Sequence, residues 1–240
     1  MQVLRAGFCS GAWPYTAVLR PKCISKPDAE KLKPNGQIVI IFTGPFGAGK
    51  DTIVREILKD SSLSITKPSR YTTRKPREKE VDGIDYHFVT KEKFEEMIKN
   101  KEFFQWEIVN QNGFYYGTSF NNLQEIFDSK KNPLCVIGFD EIDKLKESLR
   151  KENVNFVDIF VSPISKEDLT KQEKIEEAVK LLEARMLQRR REPDHNERVE
   201  KIRRWLTEAQ KCSLIVENKD GKLDEAISEV REILQKAKIS

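Results

Sequence analysis

The sequence predicts a doubly wound α/β fold, with helices covering both faces of a parallel sheet. Three observations predict it. Four apolar runs stand at 38–42 (IVIIF), 133–139 (PLCVIGF), 155–162 (NFVDIFVS) and 213–218 (SLIVEN). They are continuous rather than alternating, as strands buried on both faces are. Stretches of helical period separate them, and the first leads straight into a glycine-rich loop, GPFGAGKDT at 44–52.

Taken in order, Pro34-Asn35-Gly36 reads as a turn, and the folded unit begins at Gln37. QIVIIFT is the first, central strand. After the loop, DTIVREILKD places Ile53, Ile57 and Leu58 at helical spacing. Residues 61–90 mix β-formers with Pro68, Pro76 and the Asp82-Gly83 turn, which predicts short strands among loops. TKEKFEEMIKN predicts a helix capped by Thr90, with Phe94, Met97 and Ile98 on one face. FFQWEIV reads as a strand, NQNGFYYGTS as a turn into another, and SFNNLQEIFDSK as a helix. A charged helical stretch runs from about Lys166 to Arg191 and is interrupted by Pro193 and Asp194. The helices NERVEKIRRWLTEAQK and KLDEAISEVREILQKAK flank the last strand. No internal repeat is present.

Charge narrows the function classes. Net charge is +4 over 240 residues, but residues 1–36 carry six Lys or Arg against two acids. The remaining body holds 37 of each sign, so bulk charge does not mark it as a nucleic-acid binder. No apolar run approaches the roughly 18 residues that a membrane span needs. Four cysteines without a CxxC pair, and two histidines, fit neither a disulfide framework nor a zinc site, and point to a reducing compartment. The first 27 residues contain no acid and carry Arg5, Arg20, Lys22 and Lys26. Residues 1–36 therefore read as a tail, with an organellar transit peptide as the alternative to a cytoplasmic protein.

The loop carries the first chemistry. Gly44, Gly49 and Lys50 match G-x-x-x-x-G-K between a strand and a helix. Pro45, Phe46, Gly47 and Ala48 complete a loop whose backbone N–H groups can point at phosphate oxygens. The helix that follows adds its positive end, and Lys50 adds a compact cation. Where the pattern has a hydroxyl residue, this chain has Asp51. One reading makes Asp51 an anionic ligand for Mg²⁺. The other makes it a helix-terminal acid, leaving Thr52 as the hydroxyl beside phosphate. A second basic cluster follows: Arg70, Arg74 and Arg77 lie within eight residues, with Tyr86 just beyond. Closely set arginines suit bidentate capture of a phosphate.

With GPFGAGK, YTTRKPREKEVDGIDYHFV, FFQWEIV, FYYGTS and LIVEN in view, the chain from about 37 to 235 resembles the guanylate kinase family. The resemblance implies a P-loop NTPase sheet with an inserted nucleoside-monophosphate-binding segment, about 67–120, and a lid, about 165–205. It implies transfer of the γ-phosphate of ATP to GMP with Mg²⁺, and a part in purine nucleotide metabolism. By position, Lys50 matches the donor-phosphate lysine, and Asn218 the asparagine near the donor nucleotide. Arg74 and Arg77 match the arginines that grip the acceptor phosphate. Tyr86 and Tyr116 match the tyrosines that help hold it, and Thr118 matches a hydroxyl residue near guanine. Arg190, or its neighbours Arg189 and Arg191, would supply one lid cation. Arg204, or Arg203, would supply another. Asp140 keeps the second of two acids that close a strand.

Departures accompany these matches. Gln105 replaces the glutamate that reads guanine, offering one acceptor and one donor, and so also suits an adenine edge. Arg70 replaces a small serine at the base, and Gly138 replaces the first of the two acids. The alternatives are therefore the same reaction on another (deoxy)nucleoside monophosphate, or a non-catalytic binding module. His87 reads as strand packing and His195 as lid surface. Partners are nucleotides, with no nucleic acid and no membrane, in a monomer or homodimer.

Overall fold

The computed structural model describes residues 32–109, 113–188 and 195–237. The chain runs β1 (Val39–Thr43), α1 (Lys50–Leu58), β2 (Ile65–Thr66), β3 (Arg70–Thr72), β4 (Tyr86–Phe88), α2 (Lys91–Lys99), β5 (Phe103–Val109) and β6 (Phe114–Ser119). It continues α3 (Phe120–Asp128), β7 (Asn132–Val136), α4 (Ile142–Lys151), β8 (Phe156–Ser162), α5 (Gln172–Gln188), α6 (His195–Thr207), β9 (Leu214–Glu217) and α7 (Leu223–Ala237).

Five strands form a parallel sheet in the order β2-β7-β1-β8-β9. All five residues of β1 are buried, which is why its sequence is uniformly apolar up to Thr43. Helices bury their apolar faces against both sides in one continuous core. Among the helices, α7 packs on α1, and α5 on α6. The chain leaves β1 towards β2 and later crosses to β8 on the other side. This reversal opens a crevice at the C-terminal end of β1, where doubly wound folds bind ligands.

A second sheet, β4-β3-β6-β5, stands over that end. Its strand β3 is parallel to β4 and antiparallel to β6. One face is sealed by α2, which packs Phe94 and Met97 against Phe103 and Trp106. Phe94 stacks on Phe103 at 4.3 Å between ring centroids, over Gly117. A Cβ at Gly117 would lie 2.7 Å from the Phe103 ring, so glycine is what lets the ring lie flat on β6. The α2 N-cap matches its expectation, with Thr90 accepting from the Lys93 N–H.

Two elements differ from the sequence reading. Helix α5 begins at Gln172, after a single 3₁₀ turn over Asp168–Thr170, rather than near Lys166. Helix α4 was not anticipated. Its buried positions include Ile142, Leu145 and Leu149, but also Lys146, a charge at a core position that masks the helical period. The Lys146 ammonium donates to Asp158 Oδ2 and to the Lys211 carbonyl, each at 2.9 Å.

Candidate active site

The glycine-rich loop is shaped by close backbone approaches. Gly44 has φ 134°, and a Cβ there would sit 2.4 Å from the Val161 carbonyl oxygen on β8. Gly49 has φ 90°, and a Cβ there would sit 2.2 Å from Asn218 Nδ2. Both positions require glycine for space as well as for φ. Asn218, at the end of β9, donates from its side chain to the Ala48 carbonyl at 2.8 Å. The loop thereby lies close against β8 and is tied by a side-chain bond from the end of β9.

Lys50 opens α1, and its ammonium donates to the carbonyls of Gly44 and Pro45, each at 2.8 Å. It thus lies across the mouth of the loop. Thr52 and Asn218 line a cavity of about 270 Å³ on one side of the loop, together with Arg185. Asp51 is exposed and faces the other way, lining a second cavity of about 420 Å³ with Arg70, Tyr86 and Thr118. The hydroxyl and the carboxylate of this first helical turn therefore serve different spaces.

Strand register gathers the second set of predicted residues. Thr72 pairs with Tyr116, and Tyr116 with Glu107; Thr118 pairs with Gln105, and Arg70 with Tyr86. Side chains alternate along a strand, so these residues share the sheet face opposite the α2 cluster. Arg74 follows β3 and makes a bidentate pair with Glu80, at 2.6 and 2.5 Å. Its guanidinium also lies 4.9 Å from the Tyr86 ring centroid. The exposed Arg77 contributes its backbone N–H to Glu80 Oε2 at 2.8 Å. These bonds, from Arg74 first and then Arg77, hold the Glu80 carboxyl down at about 2. The same pairing raises the Arg74 guanidinium further above its ordinary range. The Arg74 guanidinium is thus engaged by a carboxylate of its own chain.

Arg70 pairs with Glu107 at 3.0 Å and lies 5.7 Å from the Tyr116 ring centroid. Gln105 is 2 % exposed, and its Oε1 has no hydrogen-bond partner. Across the cleft, Asp140 Oδ1 accepts from Arg204 at 2.6 Å and from Trp205 Nε1 at 2.8 Å. Asp140, the retained strand-closing acid, and Arg204, a lid cation by resemblance, are thus partners of each other. A Cβ at Gly138 would meet nothing within 4 Å, so the space of the absent acid is open. Burial pushes the neighbouring Glu141 carboxyl up against the pull of Lys144, with Glu107 and Asp140 adding to the rise.

The lid cations expected from the resemblance, Arg189, Arg190 and Arg191, lie outside the described residues. Arg203 is bound to Glu176 and Glu200 and locks α6 to α5. Two other cations reach the loop and were not singled out from sequence. Arg185 donates to the Gly47 carbonyl at 3.2 Å and pairs with Asp220. Arg198 lies 5.6 Å from the Phe46 ring centroid. Their signal was only their place in an arginine-rich stretch, where seven arginines compete from 185 to 204. His87 stacks on Tyr71 at 4.6 Å, within the second sheet.

Among the described residues, no group of three His, Cys, Asp or Glu side chains could hold a metal. A lone exposed Asp51 beside a phosphate loop nevertheless fits Mg²⁺, which is commonly held by one carboxylate, substrate phosphates and water.

Comparison with known proteins agrees with this geometry. The sequence profile of the guanylate kinase family matches residues 36–237. A guanylate kinase of Mycoplasmopsis synoviae is 33% identical over 204 residues, covering 82% of this chain and 94% of that protein. One of Schizosaccharomyces pombe is 36% identical over 154 residues, covering 64% and 71%. The crystal structure of guanylate kinase from Anaplasma phagocytophilum aligns with a TM-score of 0.59 at 22% identity, covering 85% of this chain and 87% of that one, and shares its fold. The chain belongs to the guanylate kinase family.

Proposed function

We propose that this protein transfers the γ-phosphoryl group of ATP to GMP, giving ADP and GDP. One observation supports the reading: the segment that follows the glycine-rich loop and the second sheet meet at one cavity of about 420 Å³, with Asp51 next to Lys50 on one side and Tyr86, over which Arg74 lies, on the other. A scaffold that only binds has no use for both sides.

The mechanism is positioning and electrostatics. Loop N–H groups and the N-terminus of α1 hold the donor phosphates, with Thr52 beside them. Lys50 exchanges the Gly44 and Pro45 carbonyls for phosphate oxygens. Arg74, Arg77, Tyr86 and Tyr116 hold the acceptor phosphate in line, with Arg74 released from Glu80. Asn218, Arg185 and Arg198 border the donor side, with the lid arginines at 189–191 closing over the transferring group. Asp51 would hold Mg²⁺, which when bound would offset charge on the donor phosphates. The acceptor is already an anion, so no strong general base is required. We assign the kinase unit to residues 37–235, with the acceptor segment at about 67–120 and the lid at about 165–205. A cytoplasmic location is supported by its charge-balanced body and its buried free Cys135 and Cys212. No described helix is long and apolar enough to cross a membrane.

The second reading keeps the reaction and changes the base, because Gln105 is as suited to adenine as to guanine. The test offers the purified protein ATP, Mg²⁺ and each nucleoside monophosphate in turn, and follows ADP. Preferred turnover of GMP is expected. Preference for another acceptor selects the second reading, and binding of GMP without any ADP reduces the protein to a binding module.

A further inference from the structure

We propose that Arg70, held in place by Glu107, reads the O6/N7 edge of the acceptor's guanine and supplies the discrimination that Gln105 lacks. The inference rests on the GMP kinase reading and names what recognises the base.

The geometry begins with the strand register. Tyr71 pairs with Gly117, so Arg70 falls in line with Thr118, which pairs with Gln105. Arg70, Thr118 and Gln105 therefore form one row across β3, β6 and β5. The next row holds Thr72, Tyr116 and Glu107. The ends of the first row lie two inter-strand spacings apart, about 9.6 Å. That is room for one purine with a hydrogen bond at each edge.

Both ends of the row carry buried polar atoms without partners. They are Arg70 Nε, a donor, and Gln105 Oε1, an acceptor. Such atoms are uncommon in a folded chain, and a ligand that satisfies both ends explains them. Arg70 also lines the 420 Å³ cavity with Tyr86 and Thr118, so its guanidinium borders open space. The 3.0 Å bond to Glu107 fixes one terminal nitrogen and sets the plane of the fork, while the Tyr116 ring supports it 5.7 Å away.

Chemistry then selects the base. Arginine has only donors, and guanine presents O6 and N7 as adjacent acceptors. Adenine presents a donor amine beside N7, which a guanidinium cannot match. Gln105 Oε1 accepts a hydrogen bond from the N–H groups of guanine's opposite edge. An amide alone would accept either purine, and the arginine across the row breaks the tie in favour of guanine. Glu107 is a positioning residue for Arg70.

The experiment uses the full chain with ATP and three acceptors: GMP, AMP, and 7-deaza-GMP, which lacks the N7 acceptor. For the wild type, kcat/KM is expected to fall at least about fivefold from GMP to 7-deaza-GMP. Arg70→Ala should lose roughly 10- to 100-fold on GMP, use GMP and 7-deaza-GMP alike, and narrow the gap between GMP and AMP. Glu107→Gln should move the GMP to 7-deaza-GMP ratio partway towards one; a purely structural role would leave that ratio unchanged. The proposal is overturned if the wild type does not distinguish GMP from 7-deaza-GMP, or if Arg70→Ala keeps the wild-type ratio. Should Arg70→Ala not fold, Arg70→Lys and the wild-type ratio decide the matter. Absence of ADP formation with every nucleoside monophosphate would instead refute the kinase reading itself.

Discussion

Replacing Lys146 by Met should cost this fold more than any surface ion pair, and the cost should depend on pH in a set direction. Asp158 on β8 is fully buried and accepts from Lys146 at 2.9 Å, and from the Ser213 N–H and hydroxyl at 2.8 and 2.6 Å. Lys146 also satisfies the Lys211 carbonyl. The pair thus joins α4, β8 and the chain entering β9. Met fills a similar volume but leaves a buried carboxylate with only Ser213 and strips the Lys211 carbonyl of its donor. Breaking a buried pair in this way costs about 3–5 kcal/mol. At roughly 2–4 °C per kcal/mol for a domain of this size, Tm should fall by about 6–20 °C.

The sign with pH follows from Asp158. Burial alone would push its carboxyl up, but bonds from Ser213 and Lys146 outweigh it and hold the carboxyl below the usual range. A depressed folded value adds stability that is complete above the unfolded value, about 3.9, and is lost as pH falls through the folded one. In Lys146→Met the burial effect wins and the folded value rises, so acid relieves the variant. The assay is urea unfolding of both proteins at pH 7 and pH 4, with the gap expected to narrow at the lower pH. A gap below about 1 kcal/mol at pH 7, or one that does not change with pH, would refute the reasoning.

Three further outcomes follow from the geometry. Gly49→Ala sets a Cβ 2.2 Å from Asn218 Nδ2 at φ 90°, so ATP affinity by calorimetry should fall at least tenfold, while circular dichroism stays native. Gly117→Ala meets the Phe103 ring at 2.7 Å and should cost about 1–3 kcal/mol in denaturant unfolding by unstacking Phe94 from Phe103. Asp51→Ser restores the hydroxyl of the loop pattern; if Asp51 holds the metal, Mn²⁺ binding to the protein–ATP complex, read by electron paramagnetic resonance, should weaken severalfold. Unchanged Mn²⁺ affinity would leave Asp51 as a helix-terminal acid.

How much of this was legible in the sequence differs by kind of contact. The parallel strands were legible because burial on both faces makes them uniformly apolar, as in Val39–Thr43. The glycine-rich loop and the cluster of Arg74 with Tyr86 were legible from local spacing, whereas Tyr116 was reached only through the family resemblance. Helix α4 was not, since a lysine at a core position contradicts its period until Asp158 is seen opposite it. Nor were the partners of the arginines. Arg203 and Arg204 are neighbours in sequence, yet one binds Glu176 on α5 and the other Asp140, 64 residues away. Arg74's engagement by Glu80 was likewise hidden, because a carboxylate six residues on reads as an ordinary surface charge.

The bond from Asn218 to Ala48 spans 170 residues of chain. At a synthesis rate of roughly 5–20 residues per second, the loop emerges about 10–30 s before the strand that braces it. During that interval β1 and α1 can exist, but the loop lacks the amide that holds the Ala48 carbonyl and closes over Gly49. Nucleotide binding is therefore a late event in the birth of this protein, and a nascent chain halted before β9 would carry every letter of the motif without a finished site.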